Sequence, residues 1–148
     1  MATIRGGDKF EAALRDIAAK IAKPATLRVG FLENAKYPDG TPVGLVAAIQ
    51  EFGAPAVGIP PRPYFRNMVA AKSKEWPEAI ALTLRASGLD AKVALEKTGH
   101  AISGQLRESI INTNTPPLAA ATIARKGFAK PLVDTGHMLG SIDFEVKT

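Results

Sequence analysis

Asp90-Ala91-Lys92-Val93-Ala94-Leu95-Glu96-Lys97-Thr98-Gly99-His100-Ala101-Ile102-Ser103-Gly104-Gln105-Leu106-Arg107-Glu108-Ser109-Ile110-Ile111 is the stretch around which the chain is organised. Asp90 is a suitable N-cap, because its carboxylate can accept from the free amide groups of a first turn. The run from Ala91 to about Ile111 is predicted to be one long helix. Its apolar positions are Val93, Leu95, Ala101, Ile102, Leu106 and Ile110. Gly99 and Gly104 each lower the helix propensity by about 1 kcal/mol relative to alanine, and leave room for another backbone to come close.

Upstream, Ser87-Gly88 breaks the chain after a helix expected from Trp76-Pro77 to about Ala86. Another helix is expected over Tyr64–Lys74, entered through Pro63 as a first-turn residue. Ala54–Pro63 holds Pro55, Gly58, Pro60, Pro61 and Pro63, a density that predicts a stiff extended segment with no helix or central strand. Val43–Phe52 reads as a short helix stopped by Gly53. Pro38-Asp39-Gly40 is turn chemistry and makes Glu33–Pro42 an exposed, mobile loop. Thr26–Phe31 has Leu27, Val29 and Phe31 on one side, as a strand requires. Asp8–Ala22 carries Phe10, Leu14, Ile17 and Ile21 on one helical face, with Asp8 and Glu11 in a capping-box pattern and Pro24 beyond its end.

Downstream, Asn112–Pro117 is a loop, Leu118–Lys126 a short helix and Gly127–Pro131 a second loop. Asp134 is placed to cap one further turn, and Ile142–Val146 closes the chain as a strand. The fold class that follows is α+β: a small antiparallel sheet packed against a long central helix and shorter helices, with long extended loops. Two strands are marginal alone. A third or fourth is therefore expected from Glu33–Pro42 or from a neighbouring subunit.

The 148 residues suit a single domain, 1–148, and 46% apolar residues can build a core. Net charge is +5, which suits nucleic acid or an acidic protein surface, but no Lys/Arg run of four occurs and the basic residues are not interleaved with aromatics. Charge alone therefore does not identify a DNA partner. There is no cysteine, so disulfides and thiolate metal sites are excluded. No apolar stretch is long enough to span a bilayer.

The chemical motifs point away from catalysis. Asp134-Thr135-Gly136 after Leu132-Val133 matches the aspartic-protease triplet, yet the residues after it are too few for the flap and second strand that such an enzyme needs, and Asp before a helix start reads as a cap. His100 and His137 lack partners at metal-ligand spacing. No serine stands in a nucleophile-elbow context and no phosphate-binding glycine loop is present. The expectation is no enzyme, no catalytic residue, no metal and no cofactor.

Four pieces in order carry a resemblance. They are Val46-Ala47-Ala48-Ile49-Gln50-Glu51-Phe52-Gly53; Ile59-Pro60-Pro61-Arg62-Pro63-Tyr64-Phe65; Pro117-Leu118 with Thr122-Ile123-Ala124-Arg125-Lys126-Gly127; and Lys130-Pro131-Leu132-Val133-Asp134-Thr135-Gly136-His137-Met138-Leu139-Gly140-Ser141-Ile142, with the helix of Gly99, Ile102, Leu106 and Ile110 between the second and the third. Together, over about Val43 to Ile142, the chain resembles tailed-phage minor tail proteins of the tail-completion, head–tail joining or virion morphogenesis type. Met138 before Leu139 departs from the basic–leucine pair usual there.

The resemblance implies a structural virion protein that forms a ring, often hexameric, at the tail or neck. Such a ring joins tail tube to connector, lets DNA pass, and is assembled in the host cytoplasm. Its partners would be copies of itself, other neck proteins, a tail terminator or tail tube protein and the head connector, with no membrane and no catalytic residue. The subunit contacts expected are Tyr37, Asp39, Ile59, Arg62, Tyr64, Phe65 and Arg66, with Arg62 as an intersubunit ion-pairing residue. Substituting Arg62 or Tyr64 by alanine is expected to impair assembly and leave the monomer folded. The alternative is a DNA-binding module of phage or bacterial origin.

Overall fold

A computed structural model describes residues 7–127 and 136–148. The helices are α1 (Gly7–Ile21), α2 (Val43–Phe52), α3 (Tyr64–Lys72), α4 (Trp76–Ala86), α5 (Ala91–Asn112), α6 (Ala120–Lys126) and α7 (His137–Gly140). The strands are β1 (Thr26–Phe31) and β2 (Ile142–Lys147). The fold is α+β, with the long helix α5 behind an antiparallel ribbon.

β1 and β2 pair from Thr26 opposite Lys147 to Phe31 opposite Ile142. This register sets Leu27 against Val146, Val29 against Phe144 and Phe31 against Ile142 on one face, because side chains alternate across a strand. Arg28 and Glu145 meet on the other face at 3.2 Å. The ribbon packs on α5, which also carries α3 and α4. The core consists of Val43, Ala47, Tyr64, Met68, Ile102, Leu106, Ile110, Met138 and Ile142.

The buried face of α5 differs from the apolar pattern of its sequence. Ala94, Thr98, Gly99, Ile102, Ser103, Leu106 and Ile110 are buried, whereas Val93 and Ala101 are exposed. Small and hydroxyl-bearing residues occupy the interior because the ribbon sits close. A Cβ on Gly99 would lie 2.5 Å from Phe144 Cδ2 and 3.0 Å from Leu27 Cδ1. Gly99 therefore admits an aromatic ring rather than another backbone, and Gly104 faces open space. Thr98 satisfies its hydroxyl locally by donating to the Ala94 carbonyl at 2.9 Å. Asp90 caps α5 as expected, its Oδ1 accepting from Val93 N at 3.1 Å.

Several expectations are corrected. Glu33–Pro42 does not add a strand to the ribbon. It closes on itself through the Lys36–Pro42 bridge, with Tyr37 N donating to Thr41 O and Gly40 N to Tyr37 O. Those bonds make it a tied turn in place of a loose loop. Ala54–Pro63 holds one 3₁₀ turn, Pro55–Val57, since proline is tolerated where a first-turn N–H has no partner. Asp8 lies inside the first turn of α1, which begins at Gly7, and Glu11 pairs forward with Arg15. Asp134 lies outside the described residues; the residue before α7 is Gly136, at φ 75°. Among the described residues, no helix is long and apolar enough to cross a membrane.

Candidate functional site

The proline-rich connector is held by residues on either side of it. α2 ends at Gly53, where φ is 76° and a Cβ would lie 2.8 Å from both Ile59 O and Pro61 N. Glycine is needed twice over, for the left-handed backbone and for the close approach. Ala54 and Ile59 exchange backbone hydrogen bonds at 2.9 and 3.1 Å, and Arg62 N donates to Gln50 O at 2.8 Å. The chain then enters α3, whose first amide groups lack partners within the helix.

Glu51 supplies the acceptors. Its side chain is 6% exposed, and the carboxylate takes hydrogen bonds from Phe65 N at 2.8 Å, Arg66 N at 3.2 Å and Arg66 Nε at 2.7 Å. A negative group at a helix N-terminus is favoured by the aligned peptide dipoles. The Glu-Phe-Gly end of α2 thus docks α3. The available signal was the one charged residue of α2.

Tyr37, Asp39, Ile59 and Arg62 all line one groove of about 1070 Å³, together with Gln50, Leu118, Thr122, Arg125 and Met138. Five segments meet there: the turn after β1, α2, the connector, the stretch Pro117–Arg125 that includes α6, and α7. Tyr37 stacks at 4.7 Å on the ring of His137, which contacts Lys36 O through Nε2 at 2.8 Å. Asp39 is exposed, and its carboxyl is held below the usual range by the Thr41 backbone N–H that it accepts at 2.9 Å. Ile59 and Pro60 are half-buried.

The other expected contact residues lie elsewhere. Tyr64 is 1% exposed and belongs to the core, its hydroxyl donating to the Ala47 carbonyl at 3.0 Å. Burial raises its pKa well above the ordinary tyrosine value, with a further push from the Glu51 charge. Phe65 is half-buried and lines a second, apolar groove bounded by β1, α3, α4 and α5. Arg66 is exposed, pairs with Glu51, and stands 5.1 Å over the Phe52 ring.

Arg62 requires a correction. It is 4% exposed, and burial lowers its pKa from the ordinary arginine value. Its guanidinium donates to Pro116 O at 3.0 Å, to Gln50 Oε1 at 3.4 Å and to Pro117 O at 3.5 Å. It already pins the loop after α5 to the connector, so it is not a free intersubunit ion-pairing group. Alanine at Arg62 or Tyr64 strikes the folded chain itself, contrary to the expectation of an intact monomer.

The apolar face of α1 takes no part in the core. None of its residues is buried.

Among the described residues, no three His, Asp or Glu side chains converge as metal ligands do. Among the described residues the chain presents two grooves, one mixed in polarity and one apolar. No family model, curated protein or solved structure matches the chain.

Proposed function

We propose that the chain is a structural subunit of a tailed-phage particle that assembles into a ring at the head–tail junction, where it joins tail tube to connector around the DNA channel. One observation supports the reading: the ribbon leaves both of its outer edges open. Its sheet has two strands, and among the described residues neither strand pairs on its outer side. A two-stranded ribbon is marginal in water, and open edges are templates for pairing with another chain.

Two of the ordered motifs of the resemblance, those around Glu51 and Arg62, add to this, because their residues hold neighbouring segments together. Glu51, Gly53 and Arg62 all serve to hold the connector against α2 and α3. The groove beside them, with Asp39 and Arg125 among apolar walls, suits docking of a neighbouring protein segment. A head-to-tail contact that closes produces a ring.

The test is peptide mass spectrometry on gradient-purified particles made by the genome that encodes the chain. The reading expects this chain in the particle at a small ring-like copy number. Particles made without it should show filled heads and unjoined tails. Absence from purified particles, or normal joining without the chain, ends the proposal.

A further inference from the structure

Among the described residues, two apolar surfaces of the chain lie open. On α1, Phe10, Leu14, Ile17 and Ile21 are 67, 48, 37 and 56% exposed. They form a single stripe, and at 1.5 Å rise per residue it is roughly 16 Å long. With large side chains contributing roughly 150–250 Å² each when bare, the stripe leaves on the order of 350 Å² of apolar surface in water. Patches of that size mark interaction sites. The polar side of α1 carries Asp8, Glu11 and Asp16 against Lys9, Arg15 and Lys20. These charges cancel, so nothing draws the helix to an anionic lipid surface or to a phosphate backbone. Apolar contact with protein remains.

The second surface is the groove of about 470 Å³ between β1, α3, α4 and α5. Leu27, Val29, Phe65, Val69, Trp76 and Leu95 wall it, each half-buried, and no charged side chain lines it. No residue of α1 reaches it, although α1 joins β1 through only Ala22–Ala25 and Ala25 stands at the groove's rim.

We infer that α1 of one copy seats its stripe in this groove on a second copy. Every chain carries both the donor helix and the acceptor groove, so copies satisfy one another at equal stoichiometry. The two surfaces are different, which makes the contact head-to-tail. On the helix side one such contact buries at most about 350 Å², under half of the roughly 800 Å² per partner in a standard stable interface. In a closed ring each chain makes two, once as donor and once as acceptor; a twofold dimer is not needed. The inference rests on the self-assembly proposed above and is independent of where in a particle the ring sits.

The chain has no cysteine, so engineered thiols are unambiguous. Full-length Ile17→Cys protein in heavy-isotope label is mixed with full-length Val69→Cys protein in light label. The mixture is treated with a short bismaleimide and read by mass spectrometry. In parallel, oligomeric state is measured for Ile17→Asp, and its fold is checked by far-UV circular dichroism. Mixed-label cross-links, together with at least a tenfold weaker assembly of Ile17→Asp at an unchanged far-UV circular dichroism spectrum, are the expected result. In a chain carrying both cysteines, cross-links found only within single chains would show α1 folding back on its own groove and overturn the inference. So would undiminished assembly of Ile17→Asp, or binding of anionic phospholipid vesicles that Ile17→Asp abolishes without any exchange between copies. Mixed-label cross-links from a chain absent from particles would keep the helix contact and remove the head–tail reading alone.

Discussion

Replacing Glu51 separates a structural role for the Glu-Phe-Gly motif from a merely solvated one. In Glu51→Ala the amide groups of Phe65 and Arg66 lose their acceptor. Loss of an N-terminal cap costs about 0.5–2 kcal/mol, and stranding a part-buried donor adds about 1–3 kcal/mol. The Arg66 ion pair adds less than about 1 kcal/mol, because the arginine side chain is 58% exposed and its charge is screened. The expected loss is about 3 kcal/mol. Glu51→Gln keeps an acceptor and loses the charge, and should lose about 1–1.5 kcal/mol. At about 3 °C per kcal/mol for a chain of this size, the melting temperatures should fall by about 9 and about 4 °C. Far-UV circular dichroism during heating, at one fixed protein concentration and with urea titration as a check, measures both. A Glu51→Ala protein within about 0.5 kcal/mol of wild type would refute the docking role, as would equal losses in the two variants.

Other changes follow from local geometry. Gly53→Ala puts a Cβ against Ile59 O and Pro61 N at a positive φ, and should destabilise by about 2–4 kcal/mol in urea unfolding; a neutral result would mean that the connector shifts freely. Gly99→Ala drives a methyl group into the Phe144 ring and should lose about 1–3 kcal/mol, partly restored when Phe144→Leu is added. Ser103 is buried with no hydrogen-bond partner for its hydroxyl among the described residues, so Ser103→Ala should be neutral or stabilising by up to about 1 kcal/mol. Tyr64 has its folded-state pKa raised above the unfolded value of about 10. Its stability contribution is therefore complete below about pH 10 and falls as pH rises further. Tyr64→Phe should lose about 1 kcal/mol at neutral pH with the bond to Ala47 O, yet show a flatter alkaline limb; an unchanged limb would assign the pH dependence to other groups.

Much of the architecture was readable along the chain. Strand Thr26–Phe31 and helix Val43–Phe52 are observed with the limits expected, and Asp90 caps α5 as its position suggests. These depend on alternation, turn residues and capping, all of which act within a few residues. The same local signals brought Tyr37, Asp39, Ile59 and Arg62 to notice, and the fold gathers them at one groove.

What the residues could not settle locally is which surfaces meet. The apolar periodicity of α1 was plain, but whether a face is covered depends on elements far away in sequence, and here nothing in the described chain covers it. Arg62 and Tyr64 stand in an exposed-looking proline segment, and only the approach of the Pro116–Pro117 carbonyls and of α2 makes them interior residues. The buried face of α5 likewise turned on Gly99, because Phe144, forty-five residues downstream, needs the space. Local order is written in neighbouring residues; burial is a property of contacts between distant ones, and those exist only once the chain has folded.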